Sequence, residues 1–257
     1  QWCRAVYPID LKVSMGLHTS IGFDLTVTSI FLPIITGGQV VIAERQEEGQ
    51  LDLIPLLHDE RIDTLKLTPS HLRLLEGKDL SESTIRTLIV GGERLTTNLA
   101  QRVTEAFDGK VKIYNEYGPT EVTVGCICHL FQPDQETTDS VPIGKPIFNT
   151  DVYVMDEAQN LVGRGVMGEL YIGGDGLARG YLNKAELSLD RFIAHPFQAD
   201  KKLYRTGDRV RWLPEGKLLY LGRTDEQVKI RGHRIEPSEI EAVLQINEEI
   251  KSCVIIA

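Results

Sequence analysis

The sequence predicts an α/β fold: a layered α/β sheet, then a small β-barrel-like subdomain, then the start of a small α+β subdomain. In the first half of the chain, short apolar runs with strand character alternate with segments of helical spacing, which is typical of a layered sheet. After Pro133 the composition changes, and residues 151–221 carry short strands separated by Gly, Asp and Asn. The predicted boundaries of the three parts are therefore 1–150, 151–224 and 225–257.

Composition places the chain among ordinary globular proteins. Its length of 257 residues is enough for one large domain or two small ones. Of these residues, 42% are hydrophobic and 25% are charged. The formal net charge of −9 argues against a nonspecific nucleic-acid binder or a binder of anionic membranes. No apolar run approaches the roughly 18 residues of a membrane span, and the start lacks a signal-peptide pattern. We therefore expect a cytoplasmic protein whose four cysteines are buried thiols.

The chain begins with residues 1–22, which we expect to form a connector. Residues 23–31 are a largely apolar run with one acid, Asp24, and two interpretations stay open. Asp24 either caps a buried helix or presents a carboxylate at a pocket wall, where it can bind a cationic amine. A glycine pair then turns the chain into a strand over residues 39–43.

The next stretch continues the alternation of helix and strand. Residues 51–59 have helical spacing, and residues 62–67 return to a strand in which Lys66 lies between two leucines. A lone lysine at such a place usually extends to solvent, unless an acid or a ligand meets it. Pro69 then favours a helix start, which predicts a helix over residues 71–75.

A strand and a glycine turn follow over residues 87–93, and a helix is predicted over 97–107. The glycines either form a plain strand-to-helix turn or let a flat ligand approach the backbone closely.

A polar, turn-forming heptad at residues 115–121 follows, between strand-like runs at 111–114 and 122–124. A flat aromatic there can cover a base, and a hydroxyl with a carboxylate can hold Mg²⁺ on a phosphate. The alternative is a hairpin loop with a solvated glutamate. Three side chains of this turn can lie at the end of a sheet, where ligands usually bind: Tyr117, Thr120 and Glu121.

The second half is predicted to be rich in short strands. The glycine-rich stretch 173–181 is interpreted as structural, because no Lys-Ser/Thr pair follows it. Asp208 and Arg223 either bracket a ribose or form a surface ion pair of little energetic weight. An amphipathic helix is predicted over 235–244 and a final strand over 252–257. The four predicted strands are residues 152–154, 169–172, 209–212 and 217–220.

Five segments that span nearly the whole chain carry family motifs: residues 23–26, 115–121, 168–181, 204–208 and 222–239. Taken in order, they resemble the adenylation domains of nonribosomal peptide synthetases, within the acyl-adenylate-forming superfamily. The resemblance implies an incomplete adenylate-forming fold and a reaction that uses ATP and Mg²⁺. An amino acid and ATP give an aminoacyl-adenylate and pyrophosphate, and the acyl group then passes to the phosphopantetheine thiol of a peptidyl carrier protein. A condensation domain in the same assembly line is a further implied partner.

The resemblance also implies roles for particular residues. The implied catalytic residues are Thr120, Glu121 and Lys229, and Glu121 is the implied Mg²⁺ ligand. Asp225 is the implied hinge between two catalytic orientations. Residues 229–232 form the loop that swings in to complete the thiol tunnel. Tyr117 stacks on adenine. The positions implied to bind ATP or AMP are Gly91, Gly92, Glu93, Asn115, Tyr117, Gly118, Thr120, Asp208, Tyr220 and Arg223.

The substrate pocket implied by the resemblance favours L-Asn. Asp24 pairs with an α-ammonium group, while Lys66 and Glu116 offer a donor and an acceptor together. A carboxamide satisfies both, whereas a carboxylate meets Lys66 but clashes with Glu116. Aspartate and glutamine are the runners-up. The pocket positions are Phe23, Asp24, Leu25, Thr28, Lys66, Ile89, Gly91, Glu116, Val124 and Gly125.

Two family elements are expected outside this sequence: a phosphate-binding loop before residue 1 and a lysine beyond residue 257. We therefore expect this piece alone to be inactive. One alternative function is a non-catalytic scaffold that lacks both elements. Another is an acyl-CoA ligase of the same superfamily, against which Asp24 argues, since an acid substrate without an amine needs no buried anion.

Overall fold

A mixed sheet of seven strands forms the first half of the protein. The computed structural model describes residues 2–7, 12–43, 53–247 and 249–256. The strands are β1 Ser14–Leu17, β2 Gln39–Ile42, β3 Thr64–Leu67, β4 Thr87–Gly91, β5 Lys112–Tyr117, β6 Ile127–Leu130 and β7 Lys145–Pro146. Their order is β2-β1-β3-β4-β5-β6-β7. The strands from β2 to β5 pair in parallel, and β6 and β7 pair antiparallel.

Helices cover both faces of this sheet, so the predicted layered α/β architecture is confirmed. The helices are α1 Trp2–Val6, α2 Thr26–Thr36, α3 Ile54–Leu57, α4 Pro69–Arg73 and α5 Thr97–Ala106. Leucines of β3 and β4 join the core under α3, α4 and α5. Because strand side chains alternate between faces, Lys66 and its neighbour Ile89 face the opposite side, towards α1 and α2.

Local chemistry explains where these helices begin. The Thr68 hydroxyl accepts a hydrogen bond from His71 N at 3.3 Å, and Pro69 occupies the first turn of α4. The Thr96 hydroxyl likewise accepts from Leu99 N at 3.3 Å at the start of α5. The sequence predicts both helices close to these positions.

The second sheet is antiparallel, as predicted. Its strands are β8 Thr150–Met155, β9 Met167–Gly174, β10 Phe192–Ala194, β11 Lys202–Trp212 and β12 Leu218–Arg223, and helix α6, Ala185–Arg191, precedes β10. The long β11 pairs with β9, β10 and β12. Within the described residues no ladder closes this sheet into a barrel, so the structure has an open, branched sheet.

The two sheets meet beside the chain segment before β7. The amides of Ile143 and Gly144 donate to Leu218 O at 2.9 and 3.2 Å, and Leu218 N donates to Gly144 O at 2.7 Å. This junction fixes the start of β12 beside the first sheet.

A hairpin and a helix follow the second sheet. The hairpin consists of β13 Val228–Ile230 and β14 His233–Ile235, and α7 covers Pro237–Leu244. The predicted amphipathic helix is confirmed, although its apolar residues Ile240 and Val243 are 41% and 67% exposed. The predicted final strand is wrong for the described residues 252–256, which carry no strand.

Several other sequence predictions need correction. The expected connector over 1–22 contains helix α1 and strand β1, and β1 lies inside the sheet between β2 and β3. The helix predicted over 51–59 is a single turn, Ile54–Leu57, and residues 51 and 52 lie outside the described residues.

The polar heptad does not begin as a turn. Strand β5 continues through Tyr117, so the first three residues of the heptad belong to the sheet. A short 3-10 helix, Thr120–Val122, follows, and the strand predicted over 122–124 is absent. Thr123 and Val124 instead have positive φ values of 62° and 65°. Polar strand residues that face a cavity resemble a loop in sequence, which explains the error.

Candidate active site

Two adjoining cavities lie at the carboxyl ends of the parallel strands, where the sheets meet. The smaller has a volume of about 380 Å³ and the larger about 490 Å³. Open α/β sheets bind ligands at this edge. Residues that line both cavities are Gly92, Glu116, Tyr117, Gly118, Asp208, Arg223, Gln227 and Lys229.

Most of the residues predicted for a site are brought together here. Those that line only the smaller cavity are Phe23, Asp24, Leu25, Lys66, Gly91, Thr120 and Val124. Those that line only the larger cavity are Glu93, Asn115, Tyr220 and Asp225.

Four predicted site residues lie behind the cavity walls. Ile89 lies in strand β4 and is fully buried, and Thr28 contacts the Lys66 ammonium at 2.7 Å. Gly125 packs on the Glu116 side chain, since a Cβ on Gly125 would lie 2.4 Å from the Glu116 carboxyl carbon. The fourth is Glu121, whose carboxylate is 7% exposed.

A buried ion pair forms the inner end of the smaller cavity. The Lys66 ammonium contacts Glu116 Oε1, and the two side chains are 1% and 3% exposed. Tyr7, which follows α1, donates its hydroxyl to Glu116 Oε2 at 2.5 Å. Burial and the Glu116 charge raise the pKa of Tyr7 well above its ordinary value, so the hydroxyl stays a donor. The interpretation of Lys66 as a lysine that extends to solvent is therefore wrong.

Asp24 faces the same cavity from the loop before α2. Its carboxylate accepts a hydrogen bond from the Thr120 hydroxyl at 2.5 Å. The N-cap position of α2 is Leu25, with no side-chain cap. The structure thus favours the pocket-wall interpretation of Asp24 over the helix-cap interpretation.

A second buried charge cluster lies between the two cavities. Tyr117 donates to Asp208 Oδ2, and Arg223 donates to Asp208 Oδ1 at 2.7 Å. Burial raises the pKa of Asp208, although the Arg223 charge opposes this shift. Arg223 also binds both oxygens of Asp225, at 2.6 and 2.8 Å. The side chains of Arg223 and Asp208 are only 10% and 8% exposed, so theirs is not a surface ion pair.

Two polar residues fix the wall of the larger cavity. The Asn115 amide donates to Val141 O at 3.1 Å and to Pro142 O at 2.9 Å. Glu93 accepts from Ser70 N at 3.0 Å and from Gly232 N at 2.6 Å. Both side chains therefore hold neighbouring loops in place while they line the cavity.

Glu121 offers one free oxygen. Its Oε1 accepts from Tyr181 at 2.5 Å and from Arg234 at 2.7 Å. The net pKa of Glu121 lies below its ordinary value. Burial alone would raise it, but the hydrogen bond from Tyr181 and the charge of Arg234 together outweigh burial. Among the described residues, Glu121 Oε2 is buried without a hydrogen-bond partner. A buried, ionised, unpartnered oxygen fits a hard cation such as Mg²⁺.

The β13–β14 hairpin covers the smaller cavity. The His233 ring stacks on Phe23 with centroids 5.5 Å apart, and Arg234 lines the cavity while it pairs with Glu121. Lys229 and Gly232, predicted to belong to a mobile catalytic loop, also line this cavity.

Sequence reasoning missed two of these residues, Tyr7 and Arg234. The spacing of Trp2, Cys3, Val6 and Tyr7 is helical and was the available signal for α1. No local pattern marks Arg234, because its partner is 113 residues away.

Comparison with known proteins defines the class of this chain. A family model described as "AMP-binding enzyme" matches residues 3–182, and the chain belongs to this family. It is 46% identical over 256 residues to bacitracin synthase 3 of Bacillus licheniformis, covering 100% of this chain and 4% of that protein. It is 46% identical over 255 residues to tyrocidine synthase 3 of Brevibacillus parabrevis, covering 99% of this chain and 4% of that protein. The chain thus spans a small part of these relatives.

Solved structures agree with the fold. The adenylation domain AlmE of Vibrio cholerae, in complex with glycyl-adenosine-5'-phosphate, is 28% identical with a TM-score of 0.86, covering 98% of this chain and 48% of that chain. A holo NRPS protein containing adenylation and PCP domains is 29% identical with a TM-score of 0.86, covering 96% of this chain and 44% of that chain. The α/β fold of adenylation domains is thereby confirmed. No helix in the described ranges is long and apolar enough to cross a membrane.

Proposed function

We propose that this chain is part of an amino-acid-activating domain of a nonribosomal peptide synthetase. The domain joins ATP and an amino acid into an aminoacyl-adenylate with release of pyrophosphate. The acyl group then passes to the phosphopantetheine thiol of a peptidyl carrier protein, and a condensation domain acts next in the assembly line. The carrying observation is that Asp24 and the Lys66–Glu116 pair line one cavity, which adjoins a second cavity lined by Tyr117 and Asp208.

The chemistry of the smaller cavity supports L-Asn as substrate. Asp24 provides a carboxylate for the α-ammonium group. Lys66 has three N–H donors, of which Glu116 and Thr28 take two, and one remains for a carbonyl oxygen. Glu116 retains lone pairs for an amide N–H. An aspartate substrate would place a second carboxylate beside Glu116, and one buried unpaired group costs about 1–3 kcal/mol or more.

The chemistry of the larger cavity supports a nucleotide. Asp208 accepts two hydrogen bonds from protein groups, so its remaining lone pairs can accept from ribose hydroxyls. We propose that Tyr117 covers the adenine ring, with Asn115 and the turn 91–93 at its edge. Tyr220 and Arg223 lie beside the ribose, and Asp225 acts as the hinge.

Glu121 is the residue that would hold Mg²⁺. Within the described chain no group of three or more His, Cys, Asp or Glu side chains can hold a metal ion. Mg²⁺ commonly binds through one carboxylate and the oxygens of substrate phosphates, which suits a single carboxylate. The ion, when bound, offsets negative charge on the phosphates. We propose that Thr120 contacts the phosphates beside the ion. We also propose that Lys229 takes part in catalysis when the hairpin docks.

ATP–pyrophosphate exchange tests this function. The protein that carries this sequence is expressed at its full natural length and assayed with each of the common amino acids. We expect the highest exchange with L-Asn. Exchange with no amino acid would overturn the proposed function, whereas exchange with other amino acids but not with L-Asn would overturn the substrate alone.

A further inference from the structure

Tyr7 contacts the proposed specificity pair without lining the cavity. Its hydroxyl donates to Glu116 Oε2 at 2.5 Å, across 109 residues of sequence. Tyr7 is 1% exposed. Its ring packs edge-on against Tyr114, with ring centroids 4.8 Å apart, and against Trp2, with ring centroids 5.5 Å apart. A substrate in the cavity therefore meets Glu116 but not Tyr7.

The two oxygens of Glu116 receive donors from opposite sides. Lys66, on β3, contacts Oε1, and Tyr7, from the α1 side, contacts Oε2. A carboxylate tethered at both oxygens cannot rotate about its last bond without losing a hydrogen bond. Its remaining lone pairs therefore keep fixed directions, as a selective binding site requires.

We propose that Tyr7 is a positioning residue for substrate selection. It holds the Glu116 carboxylate in an orientation that accepts a hydrogen bond from the NH₂ group of a carboxamide substrate and repels a substrate carboxylate. This inference rests on the proposed function. Tyr7 acts through Glu116 and has no contact with the reacting atoms.

Loss of the Tyr7 hydroxyl changes what Glu116 can do. Oε2 then lacks a donor in a buried site, so the carboxylate can turn about its last bond. A turned carboxylate no longer directs its lone pairs at the NH₂ group of a carboxamide and no longer opposes a substrate carboxylate from a fixed position. The preference for asparagine over aspartate therefore falls, and the change appears in the ratio of the two substrates rather than in the overall amount of folded enzyme.

The experiment compares Tyr7→Phe with Tyr114→Phe in the full-length protein. Tyr114 is a matched control, because it packs against Tyr7 and is also buried but lines neither cavity. The kcat/KM values for L-Asn and L-Asp are measured by pyrophosphate exchange. We expect the Asn-to-Asp ratio to fall about tenfold, equal to about 1.4 kcal/mol, in Tyr7→Phe and to stay unchanged in Tyr114→Phe. Equal ratios in both variants would overturn the inference.

A double-mutant cycle tests whether Tyr7 acts through Glu116. In a Glu116→Gln background, adding Tyr7→Phe should leave the Asn-to-Asp ratio unchanged, because the carboxylate is already gone. A further fall on adding Tyr7→Phe would overturn the inference. Wild-type protein that activates neither amino acid would instead overturn the proposed function and its substrate.

Discussion

The guanidinium of Arg234 lies 2.7 Å from Glu121 Oε1, so the hairpin and the proposed metal ligand form an ion pair. Arg234 is 38% exposed and Glu121 is 7% exposed. A cation on Glu121 Oε2 and the Arg234 guanidinium on Oε1 therefore repel each other across one carboxylate.

Replacing Arg234 should strengthen metal binding. In Arg234→Ala we expect the Mg²⁺ concentration for half-maximal pyrophosphate exchange to fall about two- to fivefold, since a partly exposed ion pair contributes about 0.5–1 kcal/mol. Arg164→Ala is the control, because it removes an exposed positive charge that lines neither cavity. An unchanged Mg²⁺ requirement in Arg234→Ala would contradict this repulsion.

Breaking the buried ion pair should destabilise the fold. Lys66→Met leaves the Glu116 charge buried without its partner, and we expect a loss of about 3–5 kcal/mol in the free energy of unfolding, measured by urea denaturation. Adding Glu116→Gln removes the unpaired charge and should restore part of the loss. A double variant no more stable than Lys66→Met would rule out this explanation.

Removing the Glu116 charge should change substrate preference. In Glu116→Gln the amide can donate to a substrate carboxylate, so we expect aspartate use to rise relative to asparagine use. The measurement is pyrophosphate exchange with each amino acid in turn. No gain of aspartate over asparagine would count against Glu116 as the selecting acceptor.

A methyl group behind Glu116 should disturb the same site. In Gly125→Ala the new Cβ would lie 2.6 Å from Glu116 Oε1, which pushes the carboxylate away from Lys66. We expect kcat/KM for L-Asn to fall about tenfold, as for loss of one charged hydrogen bond. Gly163→Ala is the matched control, because its Cβ would meet no atom within 4 Å. Similar losses in both variants would show that the effect is not local.

His18 should make stability depend on pH. Burial lowers the pKa of His18 from 6.5 to about 4, and its ring lies 3.0 Å from Lys66 O. Between pH 6.5 and pH 4, His18 is protonated in the unfolded chain but stays neutral in the folded protein. The contribution of neutral His18 to stability is therefore full above pH 6.5 and is lost as the pH falls towards 4. We expect a loss of about 2 kcal/mol between pH 7 and pH 5 from this group.

The check is urea denaturation of His18→Gln at both pH values. This variant should lose less stability on acidification than the wild type. His58→Gln, at an exposed histidine, should behave as the wild type does. The same pH dependence in all three proteins would exclude His18 as the source.

The sequence predicts those parts of the fold that local spacing determines. Helices α4 and α5 begin at Thr68 and Thr96 caps, and the apolar strands β3 and β4 show strand character over several residues. Strand β1 is short and follows residues without a clear period, so the sequence predicts only a connector there.

The candidate site is predictable mainly through the family resemblance. Asp24 and Glu116 lie in its motif segments, Lys66 is one of its implied pocket positions, and the structure brings all three to one cavity. Their long-range partners have no local signal. Tyr7 reaches Glu116, and Arg234 reaches Glu121, only because the chain folds back on itself.

Among the described residues, contacts that join the β13–β14 hairpin to the core include Gly232 with Glu93, His233 with Phe23, and Arg234 with Glu121. In the proposed reaction, the docked hairpin would shield the mixed anhydride of the aminoacyl-adenylate from bulk water. Weakening these contacts should therefore first increase hydrolysis of the adenylate, which releases AMP and free amino acid without acyl transfer. The rate of activation itself should change less.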